Sequence, residues 1–131
     1  MGEGHGGAMR HLALAAALGL VAACDSTGPG GLLKVELTTP NSGADGAILL
    51  TVTGPAALRS AAAGSGLRLF AQPLAATNHF ALTGTLSVGT ILLIGVPDVG
   101  QASAYTATIQ QVATPSYQLR GLAGYSLTVT P

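Results

Sequence analysis

The feature that most constrains this chain is a two-residue hydrophobic period, broken every few residues by turn formers. Leu33, Val35 and Leu37 alternate with Lys34, Glu36 and Thr38. Successive side chains of a strand point to opposite faces, so this spacing predicts one buried and one wet face. Thr39-Pro40-Asn41-Ser42-Gly43-Ala44 then leads into Asp45-Gly46, a pair that favours a tight turn. The pattern returns over Ala47–Thr53, with Ile48, Leu50 and Val52 inward, and Gly54-Pro55 stops it. No stretch after residue 32 carries the apolar period of a long amphipathic helix.

Further strands are expected at Leu67–Ala71, with Arg68 outward, at His79–Thr83, and from Gly84 through Gly89 into Thr90–Val96. Gln72–Asn78 reads as loop. Ile91-Leu92-Leu93-Ile94 does not alternate, which predicts a central strand covered on both faces. Pro97-Asp98-Val99-Gly100 breaks it. Tyr105, Ala107 and Ile109 alternate with Thr106, Thr108 and Gln110, and two last segments, Tyr117–Leu122 and Tyr125–Val129, also read as strands. The Ala-rich Ala56–Gly66 predicts a helical turn, cut short by Gly64 and Gly66. Seven or eight short strands with turns about every 8–12 residues predict an all-β fold, a single sandwich of antiparallel strands over 32–131. In architecture this resembles immunoglobulin-like and cohesin-like domains, with no family motif behind the likeness. A tyrosine corner, Tyr105 bonding back to the backbone near Asp98, is one of two readings of Tyr105; a simple strand aromatic is the other.

Composition narrows the function classes. Five basic and five acidic residues cancel, and charged residues are 8 % of the chain. Nucleic-acid binding draws on clustered Lys and Arg to neutralise phosphates, so no nucleic-acid partner is expected. With 48 % hydrophobic residues the chain should collapse rather than stay disordered. A single cysteine rules out an intramolecular disulfide.

That cysteine ends a distinctive N-terminal segment. Met9-Arg10-His11 precedes the apolar run Leu12–Ala23, followed at once by Cys24. Basic charge, a short apolar run and small terminal residues are the parts of an export signal. At twelve residues the run falls well short of the roughly twenty that span a bilayer. Val21-Ala22-Ala23-Cys24 resembles the lipobox of bacterial lipoproteins, a likeness confined to about the first 24 residues. It implies signal cleavage between Ala23 and Cys24, a diacylglyceryl group on the Cys24 thiol, and acylation of the new amine. Two or more acyl chains anchor a protein stably where one does not. The expected organisation is a signal peptide over 1–23, a lipidated Cys24 with a Gly-rich tether over 24–31, and the β domain over 32–131. Met9 is the expected start, because Met1–Ala8 includes Glu3 where signal peptides are basic. Gly2, Gly4 and Gly7 fit G-x-G-x-x-G, but no strand precedes them to make a dinucleotide site.

The mature region offers little chemistry. Asp25, Glu36, Asp45 and Asp98 form no sequence-local pair of the kind acid–base hydrolysis needs. His79 is its only histidine, too few for a zinc site, and no metal or cofactor is expected. Asn41, Ser42 and Asp45 could offer oxygens to calcium, but one carboxylate is thin for that ion and an Asx turn explains them. Arg59, Arg68 and Arg120 are isolated, which predicts solvated surface positions. The leading expectation is a non-enzymatic, lipid-anchored binding, adhesive or assembly module. It would sit in the cell envelope, facing periplasm or exterior, with a protein or glycan partner. The alternatives are a small hydrolase using His79, Asp98 and a hydroxyl, or a carrier of a small apolar ligand.

Overall fold

A computed structural model describes residues 28–131. The predicted signal segment, the cleavage point between Ala23 and Cys24, and the Cys24 attachment site lie outside the described residues. The described chain is all-β, and it forms the expected antiparallel sandwich. Eight strands occur in the order β1 (Gly31–Thr38), β2 (Asp45–Thr53), β3 (Ser60–Ala63), β4 (Arg68–Ala71), β5 (Thr77–Leu86), β6 (Gly89–Val96), β7 (Thr106–Ala113) and β8 (Ser126–Thr130). A 3₁₀ helix, Val99–Ala104, joins β6 to β7.

One sheet has the order β3-β6-β1-β8 and the other β4-β5-β2-β7. Strands pair in a nested fashion: β1 with β8, β2 with β7, β3 with β6 and β4 with β5. The β1–β6 and β2–β5 ladders complete the sheets. The likeness to immunoglobulin-like domains is therefore one of stacked antiparallel sheets. The strand order is different, since β1 and β2 lie in opposite sheets.

The alternating positions build the core. Leu33, Val35 and Leu37 face Ile48, Leu50 and Val52 across the sandwich, all essentially inaccessible to water, and Phe80, Leu82, Leu86 and Val112 join them. Burying one such side chain is worth about 1.5–3 kcal/mol, so this layer supplies most of the driving force. The non-alternating run in β6 has a different cause from the one expected. Val35 pairs with Leu92 but Glu36 with Thr90, which leaves Ile91 as an extra, bulged residue. The bulge turns both Ile91 and Leu92 inward, whereas Leu93 stays half-exposed. The strand is interior to its sheet, as expected, but its outer face is not fully covered.

Three other expectations fail. The segment expected to run on from Gly84 through Gly89 is split: Gly84–Leu86 ends β5 in one sheet, and the chain turns at Ser87-Val88 into β6 of the other. Ser60–Ala63 forms edge strand β3 on β6 rather than a helical turn. Its alternate alanines, Ala61 and Ala63, pack on the core, and Gly64 donates from its backbone N–H to the Ile91 carbonyl. Tyr117–Leu122 is not a strand. Thr114 and Gln118 close a turn around Tyr117, whose φ is 68°, and only an Ala113–Leu119 bridge remains of the predicted pairing.

Candidate functional site

Three places in the domain bear on function, and two of them bring chemistry-bearing or sticky side chains together. The first lies where the β1–β2 turn meets the β7–β8 connection. Asp45 is the first residue of β2, not an exposed turn residue, and its side chain is buried. Arg120 Nε donates to Asp45 Oδ1 at 2.7 Å, and the Tyr125 hydroxyl donates to Oδ2 in a short hydrogen bond. Asn41 Nδ2 in turn donates to the Tyr125 oxygen at 2.8 Å. The Asp45 carboxylate raises the Arg120 guanidinium further above its ordinary range, through the hydrogen bond first and charge attraction second. Arg120 is thus paired, not an isolated surface cation. The oxygens weighed as calcium ligands do not converge, because the Asn41 amide faces Tyr125 and Ser42 Oγ accepts from the Val88 N–H. This cluster is a clamp between sequence-distant segments.

The second place holds the predicted hydrolytic residues, and they are apart. His79 is exposed on β5, with Nδ1 3.2 Å from Thr51 Oγ1. Thr51 donates to Gln110 Oε1 at 2.6 Å, so its oxygen accepts from an Nδ1–H of the imidazole. Asp98 follows β6 in the opposite sheet, where it caps the 3₁₀ helix and accepts from the Gly100 N–H at 2.9 Å. Among the described residues no group of three or more His, Cys, Asp or Glu could hold a metal ion.

The third place is the outer face of the β4-β5-β2-β7 sheet. Pairing sets Phe70 opposite Ala81, Ala81 opposite Leu49, and Leu49 opposite Gln111. All four point away from the core. Ala81 is small, so the sheet dips between Phe70 and Leu49, which are 50 % and 43 % exposed. The result is an open groove of about 380 Å³, with His79 and Gln110 on its polar side. Arg68 stacks its guanidinium over the Phe70 ring, 5.4 Å from the centroid, and stiffens one wall. Beyond Leu49 the apolar surface continues into a smaller hollow lined by Ala47, Ala113 and Leu119. Singly exposed apolar residues are ordinary, but a contiguous stripe with a polar margin marks contact surfaces.

Sequence reasoning did not find this groove. One signal was present: in Ile48-Leu49-Leu50 the middle residue is out of phase with the buried face, so a large apolar side chain had to point outward. Nothing local said that Phe70 would lie beside it. Two further predictions meet their outcomes here. Tyr105 is buried, packed so closely on Gly54 that a β-carbon there would collide with its ring, yet its hydroxyl has no partner among the described residues. It is the strand-end aromatic, not a tyrosine corner. Asn78, expected in a loop, is buried at the start of β5 and ties down the β4–β5 connection. Its Oδ1 accepts from Ala75 N–H at 2.7 Å, and its Nδ2 donates to the carbonyls of Ala75 and Val52.

The comparisons with known proteins add no assignment. No family model, curated protein or solved structure matches this chain. Among the described residues, no helix is long and apolar enough to cross a membrane.

Proposed function

We propose that this protein is a bacterial lipoprotein, anchored through Cys24 in the cell envelope, whose sandwich works as a non-catalytic binding or assembly module. Support for the address comes from sequence: Val21-Ala22-Ala23-Cys24 after a short apolar run. Support for binding rests on one observation, the exposed Phe70–Ala81–Leu49 groove on the outer face of the β4-β5-β2-β7 sheet. An apolar floor with hydroxyl, amide and imidazole groups along one side suits an apolar stretch of a protein partner in the envelope. The separation of His79 from Asp98 gives the hydrolase reading no geometry to build on. A carrier of small ligands would enclose its cargo, and the groove is open.

The address is tested by expressing the full chain and Cys24→Ser side by side, then fractionating membranes and weighing the mature N-terminal peptide. Wild type should be membrane-bound, begin at Cys24 and carry acyl mass, while Cys24→Ser should leave the membrane fraction unprocessed. A bare thiol at position 24 on an intact N-terminus would overturn the lipoprotein reading. Binding is tested by crosslinking in intact envelopes with a photoreactive residue in place of Leu49 or Phe70. Adducts at these positions and none at Lys34, on the opposite sheet, are the expected result.

A further inference from the structure

We infer that the domain rests directly on the bilayer that anchors it, turning to the lipid the end that carries residues 54–59, 72–76 and 97–105. This rests on the lipid-anchor reading of Cys24. Its own basis is how the chain enters the domain. Residues 25–31 look like a loose Gly-rich spacer, yet the domain holds this segment from Gly28 onward. Pro29 accepts a hydrogen bond from Val99 N–H at 2.9 Å, and Gly28 sits so close to Asp98 that a β-carbon would collide with the carboxylate. Gly31 is already in β1, and a β-carbon on it would lie 2.9 Å from Val99 Cγ1. Only Asp25, Ser26 and Thr27 separate the lipid-bearing residue from the seated strap. Fully extended, the chain from Cys24 to Gly28 covers about 14 Å.

The end of the sandwich at which Gly28 sits is fixed by its neighbours. Val96 pairs with Gly31, Arg59 N–H donates to the Gly95 carbonyl, and Gly54 and Leu58 N–H donate to the Ala76 and Ala75 carbonyls. The three loops therefore share this end. Their residues are Gly, Pro, Ala, Ser, Gln and a few apolar side chains. The only charges are Arg59 and Asp98, and Asp98 already accepts from Gly100. Arg59 and Asp98 cancel, so this surface meets anionic headgroups with no net charge to be repelled. Leu32, 56 % exposed beside side-chain-free Gly95, adds an apolar contact at the same end. The opposite end carries exposed Val88, Tyr117 and Leu122. At about 3.3 Å per residue, nine-residue β2 carries that end roughly 30 Å further from the bilayer.

The test uses mature acylated protein in vesicles of phosphatidylethanolamine and phosphatidylglycerol. One cysteine is introduced at Ala57, Ala75 or Ser103 for the near end, or at Ser87 or Ser116 for the far end, and labelled with a fluorophore. Lipids with nitroxide-labelled headgroups should quench the near-end labels severalfold more than the far-end labels. Ten Gly/Ser residues inserted after Thr27 should remove most of that difference. Equal quenching at both ends, or stronger quenching at the far end, in protein that floats with the vesicles would overturn the orientation and leave the anchor standing. Protein that lacks acyl mass and does not float would overturn both.

Discussion

At the scale of single residues, a few polar side chains tie distant segments together in roles that could not be read locally. Asp45 precedes a glycine and looks like half of a turn. Its fate is decided by Arg120 and Tyr125, which arrive from the far end of the chain. Arg120 is partly open to solvent and can be rehydrated, but removing the Asp45 carboxylate leaves the Tyr125 hydroxyl without its acceptor. Asp45→Ala should therefore lower unfolding stability by about 1–3 kcal/mol in denaturant titrations, and Tyr125→Phe by about 1–2 kcal/mol. Asn78 was legible as a polar residue before a strand but not as a buried staple. Asn78→Ala should cost about 1–3 kcal/mol, since it leaves the Ala75 N–H and two carbonyls without their partner. Tyr105 predicts the opposite sign. Its hydroxyl is buried without a protein acceptor among the described residues, so Tyr105→Phe should leave the melting temperature unchanged or raise it. A clear drop would mean that the hydroxyl is satisfied after all.

At the scale of elements, β1 was legible because Leu33–Thr38 alternates strictly, and β2 because Ile48, Leu50 and Val52 hold the period in spite of outward-facing Leu49. β3 was not. Alanine is the best helix former by intrinsic propensity, and Ser60–Ala63 is a strand only because β6 offers it a ladder. Tyr117–Leu122 failed the other way: its alternation was real, but the turn around Tyr117 takes the backbone that pairing would need. The β6 run was placed correctly and explained wrongly, since a continuous apolar stretch looks the same whether two faces are covered or a bulge has shifted the phase. The two explanations separate by mutation. Ile91→Ala should cost about 2–5 kcal/mol, as a core truncation does, while Leu93→Ala should cost clearly less. Equal losses at both positions would restore the covered-strand reading. The groove was illegible for a related reason. Its apolar residues come from β2, β4 and β5, and strand adjacency is not written in any one of them.

At the scale of the whole molecule, the two four-residue strands β3 and β4 each close one border of a sheet, which leaves little backbone there for another chain to pair with. On the opposite border, β7 is shielded at its C-terminal half, where Arg120 N–H donates to the Val112 carbonyl. The nested pairing has a consequence in time. Val35 lies between Leu92 and Val129, so the first strand cannot gain both neighbours until residue 129 has been made. Ladders between such distant segments close slowly, and refolding from denaturant should take milliseconds to seconds. A chain truncated after Leu122 should lose cooperative unfolding, because β1 would lack its outer neighbour. Until β8 has been made the sandwich lacks one border, and an incomplete sandwich is easier to thread through a narrow passage than a closed one.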